Sequence, residues 1–310
     1  MKSSERILVV GTGAMACLFS ARLLQVGIQV QMLGGWTEGI QGIRDKGIRV
    51  LEDGGEQVFK PDQIGPNPGD FTGVNLALVL VKSWGTRKAA EQLSQCLASE
   101  GLALTLQNGL GNYEILADKL GSDRALAGAT TAGATLVKPG VVKPAGQGTI
   151  SIGDHPHSRS LVEILRRADF NVDVVGDIQA LVWGKLVVNS AINPLTAILA
   201  VRNGELVDNQ YSLELLGCAA EETGSVAAGL GIQIPYSDPA GAAAKVAMDT
   251  AENISSMLQD LQRGAPTEIE AINGQVVRAG EKAGVPIPIN LALYSLVKSL
   301  VAIGKANKQE

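Results

Sequence analysis

The chain is poor in the residues that most often move protons or hold metals. It has two histidines, His155 and His157, and both fall in one polar stretch, Asp154-His155-Pro156-His157-Ser158. No cysteine stands beside them, so the stretch reads as a surface turn and no metal site is expected. Histidine is the commonest acid–base side chain, so another group must carry any proton transfer. The three cysteines, Cys17, Cys96 and Cys218, are odd in number, far apart, and form no CxxC. That excludes a disulfide framework and a zinc spacing, and predicts reduced core thiols in a cytoplasmic protein. Aromatic residues make up 4% of the chain and never alternate with a basic block, while the net charge is −5. Nucleic acid is therefore not an expected partner.

Long charge-free apolar runs are also missing. Leu181 to Val201 comes nearest to the length of a membrane span, but it contains Lys185, two asparagines and Pro194. A lysine at the centre of a span costs ~2.5–3.5 kcal/mol on the insertion scale. No membrane segment is expected. Near the N-terminus, Lys2 and Arg6 precede an apolar run that might pass for a signal peptide. That run holds Gly11 and Gly13 and ends at Arg22, and another reading explains it better.

What is present suits two domains of ordinary size. Arg6 to Val10 reads as a buried first strand. It leads into Gly11-Thr12-Gly13-Ala14-Met15-Ala16, then a helix over 17–26, Gly27, and an alternating strand over 28–33. A glycine turn between strand and helix is the setting of a dinucleotide fingerprint. Gly11 allows the tight turn, and Gly13 lets a pyrophosphate approach free N–H groups at the helix start. Ala16 stands for the third glycine, where only close helix–strand packing is needed. The end of the second strand should choose the cofactor, since an acid there grips the ribose hydroxyls of NAD and a base pairs with the phosphate of NADP. Here the residues are Gly34-Gly35-Trp36-Thr37-Glu38. No basic residue lies at the turn, and Arg44 or Lys46 would have to reach back from farther on.

Val74 to Val81 is an apolar strand ending in Lys82-Ser83-Trp84, followed by a helix over 89–97. Leu102 to Leu106 is another strand, ending in Gln107-Asn108-Gly109-Leu110-Gly111. Ligands of open α/β sheets bind beyond such strand ends, so Lys82 and Asn108 are candidate contacts; a solvated cap and turn chemistry are their plainer readings. Leu126 to Val137, rich in Ala, Gly and Thr, reads as one strand passing close to a ligand. Short strands are expected near 141–142, 149–152 and 172–175.

Beyond Val175 the strand signals stop. Helices are expected over roughly 178–200, 208–229, 240–262, 267–283 and 290–303, with Asp177 as a cap. The fold class is therefore α/β, a Rossmann-type N-terminal domain over 1–176 followed by an all-helical C-terminal domain over 177–310. Lys305 to Glu310 reads as a frayed tail.

Within the helical half, Trp183 to Pro194 is apolar almost throughout yet carries Lys185, Asn189 and Asn193. Steps of four stack these side chains along one stripe of a helix with ~3.6 residues per turn. A buried ammonium costs several kcal/mol unless paired, and an unpaired amide ~1–3 kcal/mol. The stripe should line a polar cavity; an interior hydrogen-bond network without a ligand is the competing reading. Arg263-Gly-Ala-Pro266 separates two further helices, and Glu268 should sit in the first turn of the second, capped by Thr267 or the turn before it. The macrodipole alone would favour a carboxylate there by ~0.3–1 kcal/mol. Ser256 is open to a plain packing role.

The elements Gly11-x-Gly13-x-x-Ala16, Lys82-Ser-Trp, Asn108-Gly-x-Gly111 and Trp183-x-Lys185-Leu-x-x-Asn189 run in order along the chain. After them come Ile192-Asn-Pro-Leu-Thr196, Asn203-Gly-Glu205, Ser255-Ser-Met-Leu-Gln-Asp260, Thr267-Glu-Ile and Ile272-Asn-Gly274. In these elements the chain resembles the ketopantoate reductase (2-dehydropantoate 2-reductase) family. The resemblance implies a site in a cleft between the domains and NADPH-dependent reduction of a 2-oxo acid, ketopantoate, on the route to pantothenate and coenzyme A. By matching position, Lys185 would donate the proton, and Asn189, Asn193, Asn203 and Ser256, with Asn108, would hold substrate. Glu268 would serve both the catalytic centre and the cofactor side, which Lys82, Asn108 and Ala134 would line. The cofactor contacts of the glycine turn would be Gly11, Thr12, Gly13, Ala14, Met15 and Ala16. One departure is Gly35, which stands where NADP-selecting members often carry Arg; NAD is the alternative cofactor. The alternative activities are a related D-2-hydroxy-acid dehydrogenase of the mandelate type and a non-catalytic dinucleotide-binding sensor. The expected partner is a small-molecule 2-oxo acid, with a homodimer as a possible assembly.

Overall fold

The computed structural model describes residues 6–52 and 54–306. The first half of the chain alternates strands and helices: β1 (Arg6–Val10), α1 (Ala14–Gln25), β2 (Gln29–Leu33), α2 (Thr37–Lys46), β3 (Ile48–Glu52), β4 (Gly55–Phe59), β5 (Gln63–Gly65) and β6 (Val74–Val79). It continues with α3 (Thr86–Cys96), β7 (Leu97–Thr105), α4 (Asn112–Leu120), β8 (Ala125–Thr130), β9 (Ala134–Lys138), β10 (Val141–Pro144), β11 (Thr149–Gly153), α5 (Arg159–Arg167) and β12 (Asn171–Val175). Among the described residues only helices follow: α6 (Ile178–Leu199), α7 (Glu205–Asp208), α8 (Gln210–Gly229), α9 (Pro239–Asp249), α10 (Ser256–Gln262), α11 (Asn273–Ala283) and α12 (Pro288–Ala306). The chain divides into two compact units, one of residues 1–107 and 112–178, the other of 108–111 and 179–310.

In the first unit a large sheet has the order β12-β11-β8-β7-β6-β1-β2-β5. All its pairings are parallel except that of β11 with β8. Strand β1 shows why both faces are covered. Ile7 and Val9 join one apolar cluster with α1, α5 and a second sheet, while Leu8 and Val10 join another with α3 and α4. Successive side chains point to opposite faces, so a strand apolar at every position is buried on both, as parallel strands are. The strand order reverses between β1 and β6, with β2 on one side and β6 and β7 on the other. That reversal marks the crevice where open α/β sheets bind ligands.

The second sheet, β4-β3-β10-β9, escaped the sequence reading. Its β4 is mostly exposed and short, with little alternation to betray it. It explains why 126–137 is not one strand. The chain turns at 131–133, where the Ala132 N–H donates to Thr130 Oγ1 at 3.1 Å. Strand β8 stays in the large sheet and β9 leaves for the small one.

In the second unit, α6 lies between two apolar clusters. Trp183, Leu186 and Ala197 belong to one, and Val187, Ala191, Ile192 and Leu195 to the other. A helix apolar all round is a buried helix. Pro194 sits inside it and has no N–H to offer the Ser190 carbonyl. Asn273, at the start of α11, fills that gap: its Nδ2 donates to Ser190 O at 2.8 Å and to Asn290 Oδ1 at 3.0 Å. Asn290 Nδ2 in turn donates to Ala219 O at 3.0 Å and to the Glu222 carboxylate at 2.9 Å.

Two helix expectations are corrected here. The stretch 240–262 is not one helix. It breaks at 250–255, where carbonyls of Ala251 and Asn253 accept the backbone N–H groups of Gly204 and Asn203. Ser255 then restarts the helix as a cap, its Oγ accepting from Leu258 N at 3.2 Å. Nor does a helix begin at Thr267: α11 starts at Asn273, its N-cap position is Ile272, and residues 268–272 form turns. Lys305 and Ala306 belong to α12 rather than to a tail, and 307–310 lie outside the described residues. Among those residues no helix is long and apolar enough to cross a membrane.

Candidate functional site

The first unit gathers the glycine turn at the end of β1. Gly11 has φ +133°, and a side chain there would meet the Leu80 carbonyl oxygen at 3.0 Å. This is the close approach of the turn to the loop after β6, at the reversal of strand order. Leu80 N–H donates to Val10 O at 2.9 Å, which fixes that approach. Gly13 differs, because a Cβ placed on it meets nothing within 4 Å. It precedes α1, whose first N–H groups have no partner in the helix ladder. An open flank beside free donors at a positive helix end fits a pyrophosphate. Ala16 is fully buried against the sheet, as a packing position requires. Ala14, Met15 and Ala134 pack on the same apolar cluster, which brings the start of β9 beside α1.

Lys82 occupies the turn after β6 and is partly buried. Sequence reasoning missed what holds that turn. Gln107 Nε2 donates to Val81 O at 2.9 Å and to Thr86 Oγ1 at 2.8 Å, and Thr86 Oγ1 donates to Asn112 Oδ1 at 2.7 Å. Polar residues clustered just past two strand ends were the signal available. His155 and His157 lie in the turn before α5, where His155 Nδ1 accepts the His157 backbone N–H at 3.2 Å. The Cys17 thiol is pushed up to about 12 by burial, which leaves it inert as a nucleophile.

The second unit gathers Lys185, Glu268, Asn108, Asn189, Asn193, Asn203 and Ser256. On α6, Lys185 and Asn189 are partly buried and Asn193 is buried, so the polar stripe runs inward along the helix. Burial pulls the Lys185 ammonium down to about 8, while the Glu268 carboxylate pulls the other way. That places the lysine near the pH at which it can both hold and release a proton. Glu268 is 5% exposed and lies in the turns before α11, where its carbonyl accepts the Ala271 and Ile272 N–H groups. Its placement therefore does not come from the first turn of a helix. Asn108 reaches this unit because its loop docks on the same turns: Leu110 N–H donates to Ala271 O at 2.9 Å. Gly109, with φ +80°, is required there, since a Cβ would lie 2.3 Å from that oxygen.

The far end of the stripe is tied to the 250–255 segment. Thr196 Oγ1, one turn past Asn193, donates to Ser255 Oγ at 2.7 Å, and Ser256 follows directly. Asn203 is held by the same segment, its Nδ2 donating to Thr250 Oγ1 at 2.9 Å. The Thr250 hydroxyl already donates to Val246 O, so it can only accept from Asn203. Among the described residues, the Asn203 Oδ1 is thereby left buried with no partner. Such an orphan acceptor costs ~1–3 kcal/mol and suits a ligand hydroxyl. Thr250 was not singled out from sequence, and Thr196 and Ser255 stood there only as ends of longer stretches with no role; the Ser-Ser doublet and the spacing of Thr196 from Asn193 were the clues.

The chain is similar to known proteins along most of its length. Residues 7–157 match the family described as "Ketopantoate reductase PanE/ApbA", and residues 177–301 match "Ketopantoate reductase PanE/ApbA C terminal". A 2-dehydropantoate 2-reductase of Archaeoglobus fulgidus is 37% identical, over 96% of this chain and 98% of its own. That of Halobacterium salinarum is 35% identical, over 94% and 98%. Among solved structures, a PanE/ApbA family ketopantoate reductase from Ralstonia eutropha is similar at TM-score 0.90 and 29% identity, over 97% of this chain and 99% of that one. A D-mandelate dehydrogenase with NADH and anilino(oxo)acetate is similar at TM-score 0.90 and 25% identity, over 96% and 98%.

Proposed function

Because the chain belongs to the ketopantoate reductase family, we propose that it is a cytoplasmic 2-dehydropantoate 2-reductase that converts ketopantoate to pantoate with NADPH. The product feeds pantothenate and coenzyme A synthesis. The first unit is the dinucleotide-binding domain, ending near Ile178, and the second carries the substrate and catalytic residues. The observation that carries the reading is Lys185, an ammonium lowered to about 8 on an apolar helix and attracted by the carboxylate of Glu268.

The open flank of Gly13 and the first-turn N–H groups of α1 hold the pyrophosphate, with Gly11, Thr12, Ala14, Met15 and Ala16 around them. By matching position in the family, Lys82, Asn108 and Ala134 would line the nicotinamide side. Bound there, the dinucleotide supplies a hydride to the keto carbon. Lys185 faces the charge that grows on the carbonyl oxygen and then gives it a proton: an N–H bond breaks, an O–H bond forms, and a neutral amine remains. Solvent reprotonates that amine for the next turnover. Glu268 keeps the lysine charged by opposing its desolvation. Asn189, Asn193, Asn203 and Ser256 hold the carboxylate and hydroxyl groups of the substrate, the orphan Oδ1 of Asn203 accepting from a hydroxyl.

Gly35 supports a second reading, a D-2-hydroxy-acid dehydrogenase of the mandelate type using NAD, because no basic side chain at that position selects a phosphate. A non-catalytic sensor is disfavoured, since the sequence carries both Lys185 and Glu268. Steady-state rates with ketopantoate and phenylglyoxylate, each with NADPH and NADH, separate these readings. The proposal expects the highest kcat/KM with ketopantoate and NADPH. Preference for phenylglyoxylate with NADH would replace it by the second reading, and turnover of neither acid would leave the sensor.

A further inference from the structure

The end of β2 has no basic side chain of its own, yet the fold brings one to it. An ideal Cβ on Gly35 would lie 3.3 Å from Lys88 Nζ and 4.0 Å from its Cε, and among the described residues nothing else beyond its chain neighbours comes within 4 Å. The neighbouring glycine is different: a Cβ on Gly34 would strike Thr12 Cγ2 at 2.6 Å, so Gly34 is needed to seat the glycine turn. Gly35 is needed for no such contact. Its missing side chain leaves room that the Lys88 ammonium borders from α3.

Neither cation that the sequence offered for this place comes within 4 Å of the Cβ position of Gly35. Arg44 Nη2 donates to the Ile64 carbonyl at 3.1 Å. Lys46 lines a cavity with Thr37, Glu38, Asp45 and Arg49. Lys88 is exposed, and no hydrogen bond or ion pair holds it among the described residues. It also stands in the first turn of α3, after Arg87, with no acidic residue there. A cation at a helix N-terminus is opposed by the macrodipole, by ~0.3–1 kcal/mol at low salt. An arriving anion would reverse that penalty, because it is attracted by the lysine and by the helix end together.

We propose that Lys88 is the specificity-determining residue for the cofactor: its ammonium, lying against Gly35 at the end of β2, binds the 2′-phosphate of NADP in place of a basic residue on β2 itself. The inference rests on the reading of the glycine turn as a dinucleotide site. The ribose of a dinucleotide on such a turn lies at the end of the second strand, and a compact ammonium is a strong point charge for phosphate. Lys88 then gives this chain its preference for NADP although Gly35 replaces the arginine.

The test uses the whole chain and direct binding. Dissociation constants for adenosine 2′,5′-bisphosphate, 5′-AMP, NADPH and NADH are measured by calorimetry for wild type, Lys88→Gln and the Lys88→Gln/Gly35→Arg pair. Loss of one charged contact should weaken the bisphosphate and NADPH about tenfold to a hundredfold in Lys88→Gln, with 5′-AMP and NADH unchanged. Gly35→Arg should restore the phosphate preference in the same background. An undiminished preference for the bisphosphate in Lys88→Gln overturns the assignment and leaves the dinucleotide site standing. So does a wild type that binds NADPH and NADH alike. Failure of the wild type to bind any of the four overturns both, and tells the two failures apart.

Discussion

Replacing Asn273 by alanine should loosen α6 at its proline. Pro194 has no N–H, and Asn273 Nδ2 takes over the Ser190 carbonyl at 2.8 Å while also donating to Asn290 Oδ1 at 3.0 Å. Both partners are buried, as is Asn273 at 0% exposure. Removing the amide strands two acceptors, each worth ~1–3 kcal/mol. It also removes the Asn273 Oδ1, itself buried without a partner among the described residues, which recovers part of the loss. The net cost should be about 2–4 kcal/mol. The reasoning also predicts a coupling. In Pro194→Ala the backbone N–H returns and can close the i→i−4 bond to Ser190. Asn273→Ala then strands one acceptor rather than two, so it should cost about 1–2 kcal/mol less in that background. Urea unfolding followed by tryptophan emission reads this unit, because Trp183 is 3% exposed whereas Trp36 and Trp84 are 38% and 63% exposed. Additivity of the two substitutions within ~0.5 kcal/mol would refute the idea that Asn273 replaces the missing N–H.

Four further outcomes follow from the site. Reduction needs Lys185 protonated, so kcat should be level at neutral pH and fall about tenfold per unit once the pH rises past about 8. Glu268→Gln removes the influence that raises this pKa, so the falling limb should move to lower pH; a shift upward, or none, counts against the pairing. Gly13→Val fills space that no protein atom occupies, so thermal stability should hold while NADPH affinity drops at least tenfold or so; retained affinity would place the pyrophosphate elsewhere. Gly109→Ala brings a Cβ to 2.3 Å from the Ala271 carbonyl oxygen at φ +80°, so a loss of ~1–3 kcal/mol is expected in the same urea assay, and none would mean the loop can leave that turn.

Much of the site was legible because its residues break local rules in a periodic way. Lys185, Asn189 and Asn193 interrupt an apolar helix at steps of four, and nothing but a shared face explains that spacing. The glycine turn was legible because strand, glycines and helix are contiguous. What could not be read depends on contacts between distant segments. Glu268 was placed in a helix by its apolar periodicity, but the Asn108 loop docks there and holds residues 268–272 as turns. The break at 250–255 is made by bonds to Asn203 and Gly204, some fifty positions away. Strands β4 and β5 carry little apolar alternation because they sit at sheet edges, β4 mostly exposed and β5 only three residues long, while β3 turns Ile48 and Val50 inward within just five residues. Lys88 was invisible for the same reason: Gly35 looked empty along the chain and is bordered only in space.

The account depends on Lys185 giving a proton to the substrate oxygen, and stopped-flow measurement of a single turnover in Lys185→Ala tests that most directly. With saturating ketopantoate and NADPH, the rate of nicotinamide oxidation should fall about a hundredfold to ten-thousandfold, while the NADPH dissociation constant in the same preparation stays within about twofold. A single-turnover rate close to that of the wild type would contradict the account.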